Sequence, residues 1–403
     1  MDASNKSEEL TPTEEFEKKY GNQPWVCPKG QEWYYIDSKA PDDQVSALRS
    51  AVLHPLMGLL GSRVTEDPTY GRYTLPFSPR EKLIRDNPSY TCWDARVFLD
   101  ESRRPVEEKT NSWIWYQVWW DEKASQRTGA VIDICLCHGI AEYSGRWAAH
   151  AKRLLDAGHG RSTGLHCYLN DLNDLAHAIQ VVLIDVIKHD FSAGKAQRSV
   201  FILGQSMGGF TAVLYVLLYK TPTVSVPVIS VKAPTPKVLG ILALCPMLAI
   251  SEATLPNPAV TVFAKIVKLF LGRLPLIEGY KGKATEDRFL DDEFKADPQT
   301  YHGNVRIATG LAILKALLFT DRYMAEITLP FRVMHGDCDR VTSVEGSKRF
   351  FQVAKSVDKE IRVYSRTEHI MLRVGRDESD DQKRQEILSE MIDWIERIRK
   401  TYT

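Results

Sequence analysis

Gly204-Gln205-Ser206-Met207-Gly208-Gly209 follows directly on the apolar run Val200 to Leu203 and opens a stretch, Met207 to Leu218, with helical apolar spacing. The five-letter Gly-x-Ser-x-Gly pattern is common by chance, and its place between a buried strand and a helix is what gives it meaning. A serine on such a tight strand-to-helix turn needs small residues two before and two after it, and here both are glycine, Gly204 and Gly208. The turn lifts the Ser206 hydroxyl into open space. The amino end of the helix offers it unpaired N–H groups and a partial positive charge, which favour an oxyanion.

Working outward, Val131 to Cys137, Val238 to Leu244, Phe331 to Met334 and Ile361 to Tyr364 are further short apolar runs of the kind that strands buried on both faces display. Trp147 to Leu155 and Leu172 to Val186 carry helical spacing between them, so strand and helix alternate as in an α/β protein with a mostly parallel sheet flanked by helices. Gln382 to Arg399 sets Ile387, Leu388, Met391, Trp394, Ile395 and Ile398 along one helical face, which predicts a helix covering that sheet. Ser112 to Trp120, rich in aromatic and branched residues, predicts an early antiparallel strand pairing with Thr91 to Phe98. Thr221 to Lys237 reads as a surface insertion.

An alcohol is a weak nucleophile at neutral pH, so a base must take its proton and an acid must hold that base. For a serine on this kind of turn the partners follow in the order Ser, acid, His, each on a loop after a later strand. His335-Gly336-Asp337-Cys338-Asp339 closes the run Phe331 to Met334, and the order alone leaves Asp337 and Asp339 both open as the acid. Beyond them His369 is the last histidine of the chain, and it follows the run Ile361 to Tyr364, so it is the expected base. His54, His166, His177, His189 and His302 fail the test of order or position. A second N–H donor is expected from His138-Gly139-Ile140-Ala141-Glu142 after the first buried strand, making the amides of Ile140 and Met207 the oxyanion hole.

Composition removes other classes of function. The 52 Lys and Arg balance 52 Asp and Glu, so no global field draws nucleic acid or an anionic membrane. The polar start Met1 to Glu9 does not read as a secretory signal, and Lys265, Lys268 and Arg273 interrupt the best candidate span, Val260 to Ile277. Both point to a cytoplasmic chain. The seven cysteines lack framework spacing, and Cys135-x-Cys137-His138 lacks the second half of a metal site, so reduced thiols and no metal are expected. No nicotinamide fingerprint accompanies the serine, and no cofactor is implied.

Taken together, these motifs, with His159-Gly160-Arg161-Ser162 and Glu368-His369, resemble the monoacylglycerol lipase-like family of α/β-hydrolases, related to serine aminopeptidases, over roughly Thr91 to Arg399. The resemblance implies the α/β-hydrolase fold and selects Asp339, three residues after the glycine of His-Gly-x-x-Asp, as the acid. It implies a helical cap at about residues 249–321 inserted in a hydrolase domain of residues 89–403. Within the cap Val260, Val262, Phe263, Ile266, Val267, Leu269, Phe270 and Leu271 would form a greasy lid, able to touch a membrane or lipid droplet peripherally. Residues 1–88, with Trp25, Trp33, Tyr34 and Tyr35, carry no chemical motif. The implied activity is hydrolysis of a lipid ester, monoacylglycerol to fatty acid and glycerol, with lysophospholipid or another small ester as the alternative. One departure stands out: Leu155-Asp156-Ala157-Gly158 runs straight into His159, where relatives have a complete interior strand. A gap there would leave backbone groups beside Val131 to Cys137 unpaired, and a catalytically impaired chain is the competing expectation.

Overall fold

The computed structural model describes residues 75–98, 113–121, 123, 132–154, 167–224, 234–249, 268, 272, 277, 284–297, 299–301, 303–374 and 378–403. Within them, strands β3 (Ile132–Cys137), β4 (Ser199–Gln205), β5 (Lys237–Leu244), β6 (Phe331–Gly336) and β7 (Lys359–Tyr364) form one sheet in that order, every neighbouring pair parallel. Each parallel step requires a crossover, and the helices of the chain provide them. Ahead of this sheet, β1 (Thr91–Phe98) and β2 (Trp113–Trp120) pair antiparallel from Thr91 opposite Trp120 to Phe98 opposite Trp113, the expected hairpin.

β4 is flanked by β3 and β5 and buried along its whole length. Its alternation divides the core: Val200 and Ile202 face helices α3 (Asn173–Ser192) and α4 (Met207–Tyr219), while Phe201 and Leu203 face the carboxyl-terminal helix α8 (Glu378–Tyr402). On α8 the six residues of the expected stripe, Ile387 to Ile398, are all buried, and Trp394 meets Phe201 edge-to-face at 5.8 Å. α4 is apolar on every side because it lies inside the molecule, packed between the sheet, α3 and α6 (Ile307–Tyr323).

A short helix, α1 (Pro79–Arg85), precedes the hairpin. Its start is fixed by Pro79 at the first position and by a capping box in which Ser78 and Glu81 each bond the other's backbone N–H. α2 (Ala148–Leu154) and α5 (Arg288–Ala296) complete the part of the fold around the site, with α7 (Val344–Val353) between β6 and β7. Among the described residues β3 has one sheet neighbour, β4, and the β1–β2 hairpin forms a sheet of its own. Leu155 to Ser162, where the sequence predicts a lost strand, lies outside the described residues. So do residues 1–74, the segment 225–233 and the lid residues from Val260 to Leu271, apart from Lys268.

Candidate active site

β4 ends at Gln205 and α4 begins at Met207, so Ser206 alone makes the turn, with φ 56° and ψ −119°. A residue with a Cβ adopts this conformation at a cost of about 1–3 kcal/mol. The surroundings hold it there: the Ser206 N–H donates to the Leu244 carbonyl at 2.9 Å, and its own carbonyl accepts from Phe210 at 3.0 Å and Met247 at 3.1 Å. The two glycines are required sterically. A Cβ on Gly204 would sit 2.3 Å from the Gly208 carbonyl, and one on Gly208 would sit 2.0 Å from the Cys137 carbonyl oxygen at the end of β3.

That close approach also brings the loop after β3 to the serine. A Cβ on Gly139 would stand 3.5 Å from the Ser206 Cβ, and the Gly139 N–H donates to Glu142 at 3.3 Å. Burial keeps the His138 ring below its ordinary pKa, favouring the neutral form, and its Nδ1 lies 2.8 Å from the Gly139 carbonyl oxygen. Ile140 lines the same cavity as Ser206, and Met207 is the first residue of α4, where backbone N–H groups have no partner within the helix.

His369 stands on the loop after β7. Its Nδ1 lies 2.7 Å from Asp339 Oδ2, whereas Asp337, the alternative acid, accepts instead from the Thr367 N–H at 3.4 Å. Asp339 is fixed further by the amides of Val341 at 2.7 Å and Thr342 at 2.9 Å on Oδ1, with the Thr342 hydroxyl 2.8 Å from Oδ2. Burial by itself would raise the Asp339 pKa, but hydrogen bonds from His335 and His369 outweigh it and hold the carboxyl well below the usual carboxylate range. The group stays ionised.

Ser206 and His369 line one cavity of about 420 Å³, within the range of ligand pockets. Gln205 lines it too, and its side-chain amide donates to the His369 carbonyl oxygen at 3.5 Å. Between the Ser206 hydroxyl and the His369 ring no hydrogen bond is formed among the described residues. Ile140, Leu290, Phe294, Tyr301, Val341 and Ile370 give the cavity apolar walls, and Glu142, Asp291 and Lys295 add charge.

Arg80, Tyr143, Arg146, Glu293 and Asp297 organise this site although the sequence singled out none of them. Arg80 on α1 makes a two-pronged ion pair with Glu293 on α5, 2.7 Å at each prong, with both side chains buried. Arg146 lies 3.7 Å from Glu293, 3.7 Å from Asp297 and 3.6 Å from Glu142, which faces the cavity. The Tyr143 hydroxyl donates to Asp297 at 2.8 Å. On the opposite side Glu368, next to His369, accepts from the Thr285 hydroxyl at 2.8 Å and the Glu286 amide at 3.0 Å, tying the histidine loop to the segment before α5. Cys245, His335 and Asp339 bring potential ligand atoms within 4.8 Å of one another. The histidine and the carboxylate use those atoms on each other at 3.2 Å, and the group is hydrogen-bonded core rather than an ion site. No helix among the described residues is long and apolar enough to cross a membrane.

Comparison with known proteins agrees with this architecture. The family model for serine aminopeptidase S33 (Hydrolase_4) matches residues 130–373, more than half of the chain. Human monoglyceride lipase is 28% identical over 255 residues, covering 59% of this chain and 75% of the relative. Caffeoylshikimate esterase of Arabidopsis thaliana is 26% identical over 259 residues, covering 64% and 71%. Among solved structures, the monoacylglycerol lipase of Paleococcus ferrophilus shares the fold with a TM-score of 0.52 at 19% identity, covering 76% of this chain and 99% of that one. The parallel sheet, the strained serine turn and the family match together identify the chain as a member of the serine aminopeptidase S33 family of α/β-hydrolases, the monoacylglycerol lipase-like group that its motifs resemble.

Proposed function

We propose that the chain is a serine esterase acting on lipid-like carboxylic esters, monoacylglycerol first among them, by an acyl-enzyme mechanism. One observation carries the reading: a serine hydroxyl on a strained turn and an imidazole held by a buried carboxylate face the same apolar-walled cavity. His369 takes the Ser206 proton as Oγ attacks the ester carbonyl, and Asp339 holds the ring and stabilises the imidazolium. The Ile140 and Met207 N–H groups receive the negative charge on the carbonyl oxygen. The imidazolium then returns the proton to the departing alcohol. Water, deprotonated by the same ring, attacks the acyl-serine and releases the fatty acid. Relatives named as monoglyceride lipases and the apolar walls support an acyl chain over a peptide amino terminus. The mostly undescribed cap segment would meet lipid surfaces peripherally.

The test is fluorophosphonate labelling of the purified chain together with hydrolysis of monoacylglycerol, a caffeoyl ester and an aminoacyl arylamide. Labelling of wild type, none of Ser206→Ala, and preference for monoacylglycerol are expected. A folded chain whose Ser206 never labels would sink the proposal. A second reading, a non-catalytic binding chain, is motivated by the direct run of Gly158 into His159 in the sequence, and normal labelling excludes it.

A further inference from the structure

Behind the carboxylate that holds His369 stands a second imidazole that the mechanism above leaves unused. His335, the penultimate residue of β6, is fully buried, and its Nε2 lies 3.2 Å from Asp339 Oδ2, the same oxygen that meets His369 at 2.7 Å. On the far side of the His335 ring, Nδ1 lies 2.8 Å from the hydroxyl of Ser347, itself buried in the second turn of α7. We infer that His335 is a positioning residue for Asp339: its Nε2–H donates to Oδ2, Ser347 fixes that tautomer, and the shared oxygen tempers how strongly the carboxylate draws on His369. The inference rests on the esterase reading for its kinetic test, and a spectroscopic test stands apart from it.

The assignment of the proton follows from what each atom can do. His335 Nε2 lies 3.2 Å from Asp339 Oδ2 and 3.4 Å from the Thr342 hydroxyl; the carboxylate is the nearer of the two and, as an anion, only accepts, which favours a hydrogen on that nitrogen. In the tautomer that carries its hydrogen on Nε2, Nδ1 is bare and accepts from the Ser347 hydroxyl at 2.8 Å. The two amides of Val341 and Thr342 serve Oδ1, while the one Thr342 hydroxyl proton is shared between Oδ2 at 2.8 Å and the Cys245 carbonyl oxygen at 3.1 Å. The titratable groups set against Asp339 are therefore His335 from β6, His369 from the loop after β7 and Cys245 from the end of β5. Burial pushes the Cys245 thiol up, so it stays protonated and adds no charge. His335 helps to hold the carboxyl down, beside the hydrogen bond and charge of His369 and the Thr342 amide. Taking a donor away concentrates the charge of Oδ2 on the one imidazole that remains, and that imidazole holds its proton more tightly.

The consequence is a shift in pH dependence that a merely structural residue would not produce. For His335→Leu the acid limb of the kcat/KM profile with a soluble p-nitrophenyl ester is expected to move up by roughly half a unit, since one of several donors to the carboxylate is lost. His335→Gln, whose amide N–H reaches the same place, is expected to return the limb to within experimental error of wild type. Ser347→Ala is expected to move it in the same direction as His335→Leu but less, which keeps the test alive if the leucine variant does not fold. A wild-type limb in folded His335→Leu or in Ser347→Ala, or a glutamine variant displaced as far as leucine, overturns the inference. Independently of turnover, the ring 15N resonances absent from His335→Gln should report Nε2 protonated in wild type. A bare Nε2 overturns the inference even if the chain is an active esterase, whereas failure of wild type to label with fluorophosphonate overturns the esterase reading alone.

Discussion

Gly208 meets the carbonyl of Cys137 so closely that the end of β3 and the start of α4 leave no room for a methyl group between them. The contact joins the loop expected to supply one oxyanion donor to the helix expected to supply the other. Gly208→Ala should therefore shift both, costing about 1–3 kcal/mol or more of stability by overpacking. Urea denaturation checks the first effect and loss of fluorophosphonate labelling the second. A variant with wild-type stability and labelling would contradict the geometry.

Asp339→Asn replaces an ionised acceptor with an amide whose N–H end faces other donors. Turnover is expected to fall by about 10⁴-fold with little change in KM, as when a triad carboxylate is neutralised and the imidazole takes the wrong tautomer. Asp337→Asn, at the exposed position, is expected to stay within about threefold of wild type. Steady-state kinetics on the pair separates the two acids that residue order alone leaves open.

Arg80 and Glu293 are a buried pair 213 residues apart. Breaking such a pair on one side costs up to about 3–5 kcal/mol, and less here, because Arg146 stands 3.7 Å from Glu293 and still faces its charge. Arg80→Met is expected to lose stability within that limit, whereas Arg80→Met with Glu293→Leu should recover most of it. A double-mutant cycle from thermal unfolding measures the coupling, and strict additivity of the two single changes would show that the pair does not form in solution.

Burial pushes the Asp297 carboxyl up to about 6 against the opposing pull of Arg146. The folded value is thus above the ordinary Asp value near 3.8, so the folded state holds the proton more tightly. Between roughly pH 4 and 6 the native state binds more protons than the unfolded one, and stability falls as pH rises through that window. Asp133 is pushed up to about 6 by burial as well and acts in the same direction. Asp297→Asn should flatten the decline between pH 4 and 7 by on the order of 2 kcal/mol. Chemical denaturation across that range tests it; an unchanged slope would contradict it.

How much of this was legible follows from the range of each interaction. Four of the parallel strands announce themselves because burial leaves an apolar run, and α8 because one apolar stripe repeats at helical spacing; the run Ile361 to Tyr364, expected to be buried on both faces, lies instead in the edge strand β7, where only Tyr364 is buried. The serine turn is legible because its steric demand falls on near neighbours, Gly204 and Gly208. Asp339 over Asp337 came only from resemblance, since the choice depends on which carboxylate the turn after β6 aims at a loop thirty residues later. Arg80, Glu293 and Arg146 look like ordinary surface charges in the sequence, because nothing local marks a charge whose partner arrives from another domain element. His335 was visible only as a letter in a motif: its contact with Asp339 arises because the turn folds back over the end of its own strand.

The backbone of Ser206 has one further consequence. A chain that holds its proposed nucleophile at φ 56° spends some of its cohesion on keeping that residue cocked. Glycine at this place would accept the same dihedral angles freely, so Ser206→Gly should melt at a higher temperature than the parent while hydrolysing nothing. The inert protein would be the sturdier of the two, and the difference in melting point would measure what reactivity takes from durability.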